Sequence, residues 1–183
     1  MITILENANV VDVENGIILA DQNLVLENGF IRELSEAKPS HSDANRIDLK
    51  GSYVIPGLID AHVHVTAYTA NLGELPRQSP MYVAARAAKV LDGMLSRGFT
   101  TVRDVGGAEF GLAQSVEEGL ISGPRLLYGG KALSASGGHG DHQPMGVDRS
   151  DETYAHVSLG RRCDGVDDVR RAAREETRRG ACH

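Results

Sequence analysis

The sequence predicts an α/β chain in two parts, a small N-terminal β-sheet over residues 1–54 and a run of strand–helix units over residues 55–183. Three observations predict it. Asn-Gly and similar turn pairs punctuate short β-type runs through the first fifty residues. A Pro-Gly step at Pro56-Gly57 leads into an apolar strand. After that step, strand-like and helix-like stretches alternate to the end of the chain. Such alternation implies a parallel sheet with right-handed crossovers, either doubly wound and open or part of a barrel. A (β/α)₈ barrel takes about 250 residues, so 183 are not expected to hold a whole one.

In the first part, Ile2–Leu5 and Val10–Val13 read as strands running into Glu14-Asn15-Gly16, and Asn23–Glu27 runs into Asn28-Gly29 before Phe30–Leu34. Asn-Gly tolerates the positive φ of a type I′ turn, so a small antiparallel sheet is expected. Residues 37–45 are polar and read as a loop. In the second part, residues 54–65 read as a buried strand. Ser79-Pro80 opens a helix with Ser as N-cap and Pro in its first turn. Its apolar stripe is Val83, Ala84, Ala87, Val90, Leu91, Met94 and Leu95, and Gly98 closes it. Phe99–Val105 is a second strand. Phe110–Ile121 is a second helix stopped by Gly123-Pro124, and Arg125–Tyr128 is a third strand running into a Gly- and Ser-rich loop, 129–141. Asp164 is expected to cap a third helix with Val166, Val169, Ala172 and Ala173 inward. Ala181-Cys182-His183 would begin a fourth strand.

Composition excludes several classes. The chain is 41% hydrophobic and 24% charged with 21 Gly and no Trp, which fits a globular protein with a small aliphatic core. No apolar stretch approaches the roughly 20 residues of a membrane span, and the start has no basic n-region, so neither a membrane segment nor a signal peptide is expected. A net charge of −6 offers no general attraction to nucleic acid. Two cysteines, Cys163 and Cys182, make no disulfide framework and suit a cytoplasmic location.

The residues able to carry chemistry cluster at the first strand of the second part. His62 and His64 stand at i and i+2, so both side chains leave one face, and two neutral imidazoles there can share a divalent metal such as zinc. Asp60, two residues earlier, is expected on the same face as an acceptor orienting a ring N–H. The bare H-x-H spacing is a weak signal among seven histidines; its place at the end of a strand entered through Pro-Gly strengthens it. Arg103 and Asp104 point to opposite faces of their strand and are read as making internal ion pairs with neighbouring strands. The Arg-rich stretch 161–179, interleaved with acids, is read as a solvated helix face.

These residues carry a family resemblance. Pro56-Gly57-Leu58-Ile59-Asp60-Ala61-His62-Val63-His64 resembles the metal-binding opening of the amidohydrolase superfamily. Residues 98–107 (GFTTVRDVGG) resemble its second-strand signature. Gly123-Pro124-Arg125 with Gly137-Gly138-His139-Gly140-Asp141 resembles its imidazolonepropionase-like and Xaa-Pro or Xaa-Arg dipeptidase-like branch. The resemblance implies a partial (β/α)₈ TIM barrel, its first three β/α units and the start of the fourth strand, preceded by a β-sandwich-like sheet. It implies two divalent metals, usually zinc, with His62 and His64 as ligands, and His139 contacting a substrate carbonyl or carboxylate. The family also uses a carboxylated Lys from the fourth strand, His ligands from the fifth and sixth, and a proton-shuttling Asp from the eighth. None of these is expected before His183, and Lys131, after the third strand, is not read as the bridge. The implied reaction is metal-dependent hydrolysis of a C–N bond in a small dipeptide, N-acyl amino acid or cyclic amide, by a possible homo-oligomer with no nucleic-acid or membrane partner. A catalytically incomplete fragment and a mononuclear zinc deaminase are the alternatives.

Overall fold

A computed structural model of the chain describes residues 2–142 and 157–182. Its contacts divide the chain into two units that meet between Pro56 and Gly57.

The first unit is a five-stranded sheet. β1 (Ile2–Asp12) and β2 (Ile17–Glu27) are antiparallel, β3 (Phe30–Ser35) continues antiparallel on β2, and β4 (Asn45–Asp48) and β5 (Tyr53–Val54) lie along the other edge of β1. The Asn28-Gly29 turn has φ of 52° and 81° at its two residues, the pair of left-handed conformations that a type I′ turn needs. Two expectations are corrected. The first two strand-like runs form one strand, because irregularities between Leu5 and Val10 absorb the polar interruption around Asn7, whose φ is 55°. The sheet is also mixed: β4 and β5 run parallel to β1. The 36–44 connection carries the chain back to the starting end of β1, where Arg46 pairs with Glu6 at 2.6 Å and also donates to the carbonyl of Pro39. Ile4, Ala8, Leu24 and Val25 are buried in this unit.

The second unit holds a three-stranded parallel sheet in the order β6 (Leu58–Val63), β7 (Phe99–Asp104), β8 (Arg125–Tyr128). A helix lies in each crossover, α1 (Pro80–Ser96) and α2 (Phe110–Glu117). A short 3₁₀ turn over Leu72–Arg77 precedes α1. Val63, Val102 and Leu126, one from each strand, pack with Leu91 of α1 and with Ala108, Tyr128 and Ala181 in one core. Val83, Ala87 and Leu91 are the fully buried part of the α1 stripe, a narrow i, i+4 row; Ala84 and Leu95 are exposed. Gly98 takes the predicted left-handed position at φ 92°, while Ser79 occupies the N-cap without a side-chain cap bond.

α2 is shorter than its apolar pattern predicts. It ends at Glu117 because Gly119, at φ 70°, turns the chain before Leu120 and Ile121 can join. β9 (Ala132–Ser134) and β10 (Gly160–Arg162) form a two-stranded parallel sheet that the loop reading did not anticipate. α3 (Val166–Arg178) follows β10, with Gly165, φ 78°, at its N-cap instead of Asp164. Asp164 accepts from the Ser136 backbone N–H (3.0 Å) and hydroxyl (2.5 Å), while its own N–H donates to Asp168. α3 buries Ala172 and Glu176 and leaves Val166 and Val169 exposed. Arg170, Arg171, Arg174, Arg178 and Arg179 face solvent, as the solvated-face reading of residues 161–179 expects, whereas Arg161 and Arg162 belong to β10 and are half-buried. Near the end of the described residues, the Cys182 N–H donates to the Tyr128 carbonyl; His183 lies outside them. Among the described residues no helix is long and apolar enough to cross a membrane.

Candidate metal site

The two histidines sit where β6 ends: His62 is its fifth residue and His64 the first beyond it. Both flank Val63, which is buried in the core, so strand alternation sends both imidazoles to the opposite side. The rings are brought together, with centroids 5.5 Å apart and planes at 80°. His62 is exposed and His64 half-buried.

His64 is fixed by a group outside its own strand. Its Nδ1 lies 2.9 Å from the carbonyl oxygen of Gly106, in the turn after β7. A carbonyl oxygen only accepts, so Nδ1 carries the proton and Nε2 keeps its lone pair. That is the tautomer a ring needs to ligate a cation through Nε2. Gly106 must be a glycine for this contact. A Cβ there would stand 2.8 Å from the Leu159 carbonyl oxygen and 3.2 Å from His64 Cε1.

Asp60 does not take the predicted role. The register pairs Asp60 with Val102 and Val63 with Asp104, so β6 spends one more residue than β7 over this step. This β-bulge breaks the alternation between Asp60 and His62. The Asp60 carboxylate accepts the backbone N–H of His62 at 3.0 Å and holds the bulged backbone; the ring N–H is oriented by Gly106 instead.

Neither Asp104 nor Arg103 forms the expected ion pair with a neighbouring strand among the described residues. Arg103 is exposed with no ion pair among the described residues. Asp104 is fully buried and accepts three backbone N–H groups: Val65 on Oδ2 at 2.7 Å, and Gly106 and Ala108 on Oδ1 at 2.9 and 3.1 Å. Burial pushes its carboxyl above the usual aspartate range, opposed by these three amides and the neighbouring His64. The loops after β6 and β7 are therefore tied to one carboxylate. Sequence reasoning missed both Asp104 and Gly106 as parts of the site. The available signal was an aspartate ending a strand directly before a Val-Gly-Gly turn.

His139 lies in the loop after β9, is exposed, and has no hydrogen bond, ion pair or ring contact among the described residues. No ring contact among the described residues joins it to the imidazole pair, and it makes no metal-holding group with them. Asp141, two residues on, accepts the Gly137 N–H at 2.9 Å. Lys131 is half-buried beside Glu176, and burial holds its ammonium below the usual lysine range. No group of three or more His, Cys, Asp or Glu able to hold a metal occurs among the described residues.

With the geometry in place, the strand carrying His62 and His64 falls inside a match of residues 53–183 to the amidohydrolase family. The chain belongs to the amidohydrolase family. The crystal structure of a prolidase complexed with N-methylphosphonate-L-proline superposes with a TM-score of 0.91 at 45% identity, over 99% of this chain and 45% of that one. The crystal structure of another amidohydrolase gives a TM-score of 0.89 at 42% identity with the same coverages. Aspergillus niger ochratoxinase is 33% identical over 144 residues, 70% of this chain and 29% of that protein. This amidohydrolase chain thus spans less than half the length of the relatives it matches.

Proposed function

We propose that the chain forms the front of a metal-dependent hydrolase that cleaves a carbon–nitrogen, amide-type bond of a small substrate, a dipeptide, N-acyl amino acid or cyclic amide. One observation carries the reading: two imidazoles meet at the end of a parallel strand, one of them held in the ligating tautomer by a backbone carbonyl. Family membership and similarity to a prolidase support the reaction class, and that prolidase's proline-containing ligand favours a dipeptide. On this reading β6, β7 and β8 are the first three strands of an eight-stranded barrel, and the protein works in the cytoplasm.

The donor set fits a borderline-soft divalent cation, with zinc first among candidates. When bound, such a cation polarises a carbonyl and lowers the pKa of a water toward about 7. His64 would offer Nε2, its Nδ1–H held by Gly106; His62 would offer a ring nitrogen from the bulge that Asp60 fixes. His139 would contact a substrate carbonyl or carboxylate, the role that its family resemblance implies. Two ligands do not complete a site, so the remaining ligands and the proton-shuttling Asp are assigned to the part of the relatives' fold that this chain does not span.

Titration of the chain with zinc or cobalt(II) tests the pair. His62→Ala and His64→Ala are each expected to abolish the binding that the parent chain shows. Equal binding in the parent and both variants removes the ligand assignment.

A further inference from the structure

We propose that Asp104 is a positioning residue for His64, setting the orientation and tautomer of its imidazole through the backbone on both sides of the ring. The proposal rests on the metal reading only where it concerns cation affinity. His64 has two attachments. Through its own backbone it continues into Val65, whose N–H donates to Asp104 Oδ2 at 2.7 Å. Through Nδ1 it donates to the carbonyl of Gly106, whose N–H donates to Asp104 Oδ1 at 2.9 Å. A third N–H, from the buried Ala108, shares Oδ1 at 3.1 Å and seats the turn against the core. One fully buried carboxylate therefore governs both ends of the donor–acceptor pair that decides which ring nitrogen is free.

The chemistry requires a carboxylate. Three donors converge on two oxygens, and a carboxylate, which only accepts, presents lone pairs to all of them. An asparagine keeps one oxygen. With that oxygen facing Gly106 and Ala108, the NH₂ group opposes the Val65 N–H and frees the backbone beside His64. Reversed, it frees Gly106 and loosens the carbonyl that holds Nδ1. Either orientation releases one attachment of the ring.

The test is Asp104→Asn in the metal-free chain, read by imidazole ¹⁵N chemical shifts. The parent is expected to show His64 with Nδ1 protonated and Nε2 bare, and Asp104→Asn to show shifts averaging toward a tautomer mixture. Zinc or cobalt(II) affinity is expected to fall roughly 10–100-fold. Val83→Ala, at a buried position of α1 outside the cluster that holds Val65 and Ala108, is expected to lower the melting temperature while leaving the His64 spectrum unchanged. A folded Asp104→Asn chain with the parent's His64 spectrum overturns the proposal. Should that variant not fold, amide exchange in the parent decides: joint slow exchange of Val65, Gly106 and Ala108 supports the frame, and exposed-loop exchange at any of them overturns it. A lost tautomer preference without histidine-dependent cation binding in the parent upholds the positioning role and removes the metal reading instead.

Discussion

Gly106→Ala isolates the contact between the second-strand turn and His64. An ideal Cβ at residue 106 stands 2.8 Å from the Leu159 carbonyl oxygen, closer than real Cβ contacts allow, and 3.2 and 3.3 Å from His64 Cε1 and Nδ1. The first obstacle is backbone and the second is a ring already hydrogen-bonded, so neither yields freely. Overpacking of this kind costs about 1–3 kcal/mol, and each kcal/mol lowers the melting temperature of a domain this size by roughly 2–6 °C. The ring must also retreat by a few tenths of an ångström from a 2.9 Å hydrogen bond, so cation affinity is expected to drop roughly 10–100-fold. Gly98→Ala is the comparator. Its φ of 92° makes a side chain costly, by about 1–2 kcal/mol, yet no atom lies within 4 Å of a Cβ there. Thermal melts and competition titrations with a zinc chelator read both variants. Gly98→Ala is expected to lose stability and keep affinity, whereas Gly106→Ala loses both. Parent-like affinity in Gly106→Ala refutes the reasoning that this carbonyl and its glycine set the ring.

Leu91→Ala, at a fully buried position in the main core, is expected to cost about 2–5 kcal/mol in urea unfolding. The 183-residue chain, with two ligands and no third among the described residues, is expected to hold zinc weakly and to show no dipeptide or amide turnover on zinc addition; sustained turnover would show that it contains a complete site. Acid should loosen α3 and its surroundings. Arg161 holds the Glu175 carboxyl below the usual range, Ser136 does the same for Asp164, and Arg171 for Asp168. Depressed folded values mean that this stabilisation is full above the unfolded values of about 4 and disappears as pH falls through the folded ones. Amide protection of α3 should therefore hold from pH 7 to 5 and decline below about 4, and a flat profile to pH 3 would contradict these pairings.

Much of the fold was legible because local chemistry decides it. Asn28-Gly29 admits one kind of turn, Pro80 and Gly98 bracket α1, and the change from period 2 to helical spacing after Tyr53 marks where strand–helix units begin. The misses share a physical cause, a tertiary partner invisible along the chain. Asp164 had the right residue type for a cap, but Ser136, 28 residues away, competes for its carboxylate, and Gly165 takes the position. Val166 and Val169 were assigned inward on polarity alone, while α3 is anchored by Ala172 and by Glu176, whose Oε2 receives the Lys131 N–H at 3.4 Å. β4 could not be oriented from its own residues, since its direction depends on where the preceding loop returns.

The same distinction governs the candidate site. The spacing of His62 and His64 guarantees only that both leave one side of β6. In a regular strand that rule would carry Asp60 along with them, and the bulge between Asp60 and Val63 cancels it. What remains after the bulge is a pair of rings whose convergence to 5.5 Å depends on a neighbouring strand. β7 ends in Asp104, Asp104 holds the turn, and the turn offers Gly106 to His64. The H-x-H pattern thus states which residues can ligate, while the Asp-Val-Gly-Gly that ends the next strand decides whether one of them is presented in the form that does. A chain keeping both histidines but losing that four-residue turn should retain the fold of β6 and bind a cation poorly. Replacing residues 104–107 with a neutral turn of equal length and titrating with cobalt(II) separates the two contributions, and undiminished affinity would return the whole site to the histidine spacing alone.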